Sequence, residues 1–116
     1  MILDAAVRYA FPPAPLFAGH FPGAPRVPGS CIVEAFRRSL EAALPLWRVR
    51  ELLGARFRRF VRPEDALVFQ LFVSAEGPEA PAAEARCCLL HDSVRCADLR
   101  FRLVREGQTQ DSFSFF

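Results

Sequence analysis

The 116-residue chain contains no lysine at all, and its fifteen basic residues are all arginine. Set against thirteen acidic residues, they leave a net charge of only +2, which argues against a nucleic-acid-binding role. Apolar runs are short. None approaches the ~18–20 residues that cross a bilayer, so no membrane span is expected. No basic stretch followed by an apolar one opens the chain, so a secretory leader is not expected and the compartment implied is the cytoplasm. Internal repeats, low-complexity tracts and linkers are missing too, and the length suits one domain over residues 1–116. Cysteine is sparse. Cys31, Cys87, Cys88 and Cys96 fit no zinc spacing, and the adjacent pair is awkward for a disulfide framework. They are expected to be small buried apolar residues, although Cys31 stands where a helix start can activate a thiol.

The chemistry is concentrated in G-H-F-P-G-A-P-R-V-P-G, residues 19–29, which holds three prolines and three glycines in eleven positions. Pro22, Pro25 and Pro28 fix φ and push each preceding residue towards extended geometry. A loop this constrained is more than a connection needs. It is either a stiff crossover that carries a histidine or a built site around His20.

A helix is predicted from Gly29 to Leu44, ending before Pro45. Val33, Phe36, Leu40, Ala43 and Leu44 form its apolar stripe, with Glu34, Arg37, Arg38 and Glu41 on the other side. Glu34 then lies in the first turns, near the free N–H groups and positive dipole end of the helix. A base, an acid and oriented N–H donors are the parts needed to remove a proton beside a carbonyl.

Residues 2–9 alternate as a first strand. The segment 46–61 is expected to break at Gly54, with its later half, around Phe57 to Val61, extended. Pro63-Glu64-Asp65 predicts a turn, 67–75 a strand, and 76–83 a hairpin loop. Two last strands, 85–90 and 94–105, flank a turn at His91-Asp92-Ser93, which leaves His91 as an exposed loop residue. In the final strand Leu99, Phe101 and Leu103 alternate with Arg100, Arg102 and Arg105, so one face is wet.

G-H-F-P-G-x-P-x-x-P-G-x-x-x-x-E-A, with residues 56–65, resembles the signature of the 3-hydroxyacyl-acyl-carrier-protein dehydratases of the FabA/FabZ type. The resemblance implies an α+β hotdog fold, an antiparallel sheet of about five strands wrapped around one long central helix. It implies dehydration of 3-hydroxyacyl thioesters to trans-2-enoyl thioesters, for fatty-acid, polyketide or polyene-type biosynthesis. The partner implied is an acyl carrier protein, whose phosphopantetheine carries the substrate, with no separate cofactor and no metal. The assembly implied is a homodimer or higher even-numbered oligomer. His20 would take the proton next to the thioester carbonyl, and Glu34 of the other subunit would help the hydroxyl leave. The Gly29 N–H would bind the thioester oxygen, with Phe21 and Pro28 beside the substrate and Phe57 and Phe69 as candidates to line an acyl tunnel.

The chain departs from this pattern in two places. It starts near the family's second strand, which predicts a bare sheet edge, with the tail 111–116 either covering it or forming a frayed terminus. Arg38 also stands where the family commonly has glutamine, one helical turn after Glu34, where it either forms an i, i+4 ion pair that holds the carboxylate ionised, turns away to a partner chain or the carrier protein, or is a solvated helix residue. The arginines at 48, 50, 56, 58, 59 and 62 offer a basic patch for an acidic carrier protein. A hotdog thioesterase and a non-catalytic acyl- or carrier-binding subunit are the alternatives.

Overall fold

The computed structural model describes residues 2–13, 26–75 and 79–106. Its elements are β1 (Leu3–Tyr9), α1 (Gly29–Ala43), β2 (Trp47–Phe57), β3 (Leu67–Ala75), β4 (Ala82–His91) and β5 (Val94–Arg105). The strands make one five-stranded sheet in the order β1-β3-β4-β5-β2, and every neighbouring pair is antiparallel. β1 and β2 are therefore its edges. The expected tail cover for an edge lies outside the described residues.

The sheet buries one face, against the helix. Leu67, Phe69, Leu71 and Val73 of β3 point inward, as do Ala83, Ala85, Cys87 and Leu89 of β4 and Ala97, Leu99, Phe101 and Leu103 of β5. This is the period of two that a one-sided sheet needs, interrupted near the β4–β5 turn, where Cys88 and Cys96 on the other face are buried as well. The opposite positions Glu84, Arg86, Asp98, Arg100 and Arg102 form a wet face of ion pairs, of which Arg100–Glu84 and Arg102–Glu51 join neighbouring strands.

α1 lies on the buried face through Ile32, Ala35, Phe36 and Leu40. The stripe is rotated from the predicted one: Val33 is half-buried and Ala43 exposed. Choosing Ala35 over Ala43 cannot be made on hydrophobicity; the place where the helix crosses the sheet decides it. An aromatic column fixes that place. Phe36 stacks on Phe69 with ring centroids 4.0 Å apart, Phe69 on Tyr9 at 4.6 Å, and Tyr9 meets Phe11 edge-on at 4.8 Å. Phe69 is thus fully buried core between the helix and an edge strand.

β2 is the larger correction. It begins at Trp47, runs through Gly54 and ends at Phe57, where only its later half was expected to be extended. Its register against β5 slips twice, between Val49 and Glu51 and between Leu52 and Gly54, so that Arg50 and Leu53 are the extra residues of two bulges. Nothing in the described structure would touch a Cβ at Gly54. The glycine accommodates a bulged strand and does not interrupt it. After Phe57 the chain turns away, held by Arg58 and Arg59 N–H groups donating to the Cys96 carbonyl at 2.8 and 3.1 Å.

The first predicted turn forms as expected; the second is one residue shorter, because His91, expected as an exposed loop residue, is half-buried at the end of β4. At Pro63-Glu64-Asp65 the Asp65 carboxylate accepts the Arg62 N–H at 2.9 Å, with Glu64 at φ 71°. Between β4 and β5, Asp92 and Ser93 both have positive φ (51° and 67°), the pattern of a two-residue hairpin whose twist matches its strands. His91 is the last residue of β4, half-buried, with Asp65 and Asp92 carboxylates 3.9 and 3.6 Å from its ring nitrogens. Among the described residues no helix is long and apolar enough to cross a membrane.

Candidate active site

α1 starts abruptly. Pro28 is its N-cap at φ −62° and ψ 149°, an extended conformation that proline reaches without strain. No side chain caps this end; the Pro28 carbonyl accepts the Cys31 and Ile32 N–H groups at 3.0 and 3.2 Å. The N–H groups of Gly29 and Ser30 have no carbonyl of their own helix within reach. Val27, just before Pro28, is tied down by its N–H, which donates to the Val61 carbonyl at 2.9 Å.

Gly29 is closely packed here. A Cβ at this position would sit 3.1 Å from Cζ of Phe57, tighter than ordinary packing allows without movement. The Phe57 ring, 47% exposed, therefore lies directly over the first residue of the helix. An apolar wall beside oriented N–H groups excludes water from one side of them, which strengthens any bond they make to a developing anion.

Glu34 comes just over one turn further on, on the face of α1 away from the core, and its side chain is 45% exposed. Arg37 grips it with both arms: Nε donates to Oε1 at 2.8 Å and Nη2 to Oε2 at 2.5 Å. Of the alternatives open for Arg38, the i, i+4 pairing is the one that forms, Nε to Oε2 at 3.0 Å. The remaining arm of Arg37, Nη1, donates to Oε1 of Glu41 at 2.9 Å. Glu41 in turn accepts the backbone N–H of Val49 on β2 through Oε2, also at 2.9 Å. Glu34 is thus tied to the sheet edge through two charged side chains. The two guanidinium groups, Arg37 first and then Arg38, draw its carboxyl down from an ordinary 4.5 to about 2. The same pairing raises Arg37 further above its already high value.

Of the residues singled out from the sequence, Pro28, Gly29 and Glu34 fall in one short segment at the start of α1. His20 and Phe21 lie outside the described residues. Arg38 does bond Glu34, yet it is three-quarters exposed and makes one bond, whereas the fork of Arg37 dominates. The E-x-x-R-R-x-x-E spacing makes both arginines neighbours of Glu34, since i, i+3 partners share a helix face as i, i+4 partners do, but it does not choose between them. Phe57 over Gly29 had no signal, because it depends on where β2 ends.

Among the described residues all four cysteines are free; Cys87, Cys88 and Cys96 are buried. Burial pushes the Cys87 thiol up to about 12 and raises those of Cys88 and Cys96, so these three are packing residues rather than nucleophiles. No group of three histidine, cysteine or acidic side chains among the described residues is arranged to hold a metal.

Residues 5–107 match the family model of the ApeI-like proteins, described as ApeI dehydratase. The chain belongs to the ApeI-like dehydratase family. This ApeI-like chain is 35% identical over 100 residues to the 3-hydroxyacyl-[acyl-carrier-protein] dehydratase FabZ of Chlamydia pneumoniae, across 78% of this chain and 65% of that one. It therefore spans just under two thirds of that relative's length. Among solved structures it superposes on the dehydratase heterocomplex ApeI:P from Xenorhabdus doucetiae with a TM-score of 0.66, at 19% identity over 88% of both chains. It superposes on the (R)-hydratase from A. caviae involved in PHA biosynthesis with a TM-score of 0.69, at 16% identity over 89% and 94%. At such identities the superpositions speak to fold, and the fold is the α+β hotdog.

Proposed function

We propose that this ApeI-like chain removes water from 3-hydroxyacyl thioesters, carried on the phosphopantetheine of an acyl carrier protein, to give trans-2-enoyl thioesters. The observation that carries the reading is the junction of the 19–29 signature with α1 in a chain whose family is that of a dehydratase. The helix begins at the signature's last glycine, and its first carboxylate faces away from the core.

In this reading His20 removes the proton next to the carbonyl, and the Gly29 N–H, walled by Phe57, binds the thioester oxygen as charge builds on it. Pro28 and Phe21 flank the acyl group, and Glu34 faces the 3-hydroxyl. Base and carboxylate come from different subunits of a homodimer or a higher even-numbered oligomer. The exposed apolar side chains Leu52 and Phe57 on the edge strand β2 support a self-association that covers them. Exposed Arg48, Arg50, Arg56, Arg58, Arg59 and Arg62 offer an acidic carrier protein a basic landing surface. The chemistry needs no cofactor beyond the carrier's own arm, and the setting is cytoplasmic.

The test is incubation with 3-hydroxyacyl carrier proteins of several chain lengths, followed by mass spectrometry. Loss of water from the loaded carrier is the expected result. Release of free acid would assign a thioesterase instead, and an unchanged carrier would leave only a binding subunit.

A further inference from the structure

An ionised carboxylate offers about four lone-pair sites. Among the described residues Oε1 of Glu34 accepts one bond, from Arg37, and Oε2 accepts two, from Arg37 and Arg38. Oε1 therefore keeps a site for an incoming hydroxyl. The carboxylate plane is not free to turn towards it, because the two-armed grip of Arg37 fixes both oxygens at once. Nor is the grip itself loose. Arg37 is held from behind by Glu41, and Glu41 is anchored to the main chain of β2 at Val49. Exposed single ion pairs contribute little, but this one is bidentate and part of a network that ends on backbone.

We infer that Arg37 is a positioning residue that locks Glu34 as a permanent hydrogen-bond acceptor for the substrate's 3-hydroxyl, so that Glu34 does not supply the proton that leaves with it. The inference rests on the dehydratase reading above and specifies the second half of its reaction. The base breaks the C2–H bond and takes the proton, and that electron pair forms the C2–C3 double bond. The C3–O bond breaks with its pair on oxygen, which keeps its own hydrogen. The proton held on the base then returns to that oxygen, and water departs. Charge and protonation of Glu34 are the same before and after. The low titration of Glu34, set by Arg37 and then by Arg38, agrees with this division of labour, because a carboxyl near 2 holds almost no proton at neutral pH. Glu41, on the far side of Arg37, is the other charged group in this network.

The experiment compares wild type, Arg37→Gln and Arg37→Lys in turnover of a 3-hydroxyacyl carrier protein across pH, together with NMR titration of the Glu34 carboxyl carbon. Arg37→Gln is expected to lower kcat ~10-fold with KM within about twofold, the signature of lost positioning rather than lost binding. Its Glu34 titration should rise towards the ordinary 4.5. Arg37→Lys keeps a charge without the fork, so it should hold the titration low yet recover only part of kcat. In wild type the kcat profile should show no limb belonging to Glu34 between pH 5 and 8. A faster Arg37→Gln enzyme would make the arginine a brake on a carboxylic acid and overturn the inference, as would an unchanged kcat. A wild-type chain that dehydrates nothing, while Glu34 still titrates near 2 and rises in Arg37→Gln, would sink the dehydratase reading but not the clamp.

Discussion

The two faces of α1 use the same helical spacing for opposite purposes. On one face Ile32, Ala35, Phe36 and Leu40 disappear into the sheet, and Phe36 continues a column of stacked rings to the edge strand β1. On the other, Glu34, Arg37, Arg38 and Glu41 exchange four charge-assisted bonds and reach β2 through a single backbone N–H. The apolar face sets where the helix lies. The charged face sets where one carboxylate points. Stability should respond to the first and turnover to the second, and each variant below tests that separation.

Phe36→Ala should be the most damaging. It empties a fully buried ring site at the crossing of helix and sheet, and a loss of about 3–5 kcal/mol is expected in urea unfolding. A loss below about 1 kcal/mol would mean that the column does not hold the helix. Glu34→Gln and His20→Ala make the converse case. Each should cut dehydration by ~10²-fold or more, His20→Ala by removing the base and Glu34→Gln by removing the charge that holds the hydroxyl, while Glu34→Gln costs only the small stability of an exposed ion-pair network. Wild-type turnover in both would remove this end of the helix from consideration as the site.

Gly29→Ala probes the place where the two faces meet the N-terminus. The new methyl needs the Phe57 ring to yield by a few tenths of an ångström, and that ring is half-exposed and can swing. In a Phe57→Ala background the same change should stabilise by up to ~1 kcal/mol, the helix preference of alanine over glycine. With Phe57 present the gain should be smaller. Equal effects in both backgrounds would deny the contact.

Acid should have the smallest effect. Glu34 titrates near 2 in the fold and near 4.5 ordinarily, so the clamp's contribution is complete above about 4.5 and fades as pH falls towards 2. The difference in Tm between wild type and Glu34→Gln should therefore stay flat from neutral pH to about 5 and close below it. A difference that grows on acidification would contradict the pairing.

The boundaries of α1 were legible because Pro28 and Pro45 bracket it and a 3.6-residue period fills the interval. β3 and β5 were legible for a similar reason, since each alternates and each buries one face. β2 was not. Gly54 looks like punctuation, and the bulges at Arg50 and Leu53 that absorb it exist only because β5 lies alongside, more than forty residues away. The candidate site divides in the same way. Glu34 and the glycine opening the helix could be read directly, because a motif of fixed spacing carries them. The choice of Arg37 over Arg38 as the main partner was not readable. Both are at helical neighbour distance, and only the third guanidinium arm, reaching Glu41, separates them.

The strand order β1-β3-β4-β5-β2 also ranks the steps of folding. β3, β4 and β5 follow one another in the chain as well as in the sheet, and the β4–β5 connection is only two residues long. Their pairing closes short loops and needs little prior ordering. β1 must find β3 across the whole of α1 and β2, with Tyr9 opposite Leu67, and β2 must find β5 with Trp47 opposite Arg105. Closing such long loops costs more entropy and slows the search. The central meander is thus the natural template, and the edge strands are late additions to it. Phe57, at the end of β2, reaches Gly29 only when that last edge is in place. The topology therefore predicts that the helix start acquires its apolar wall late in folding, after the carboxylate clamp, which is mostly local to α1, has formed.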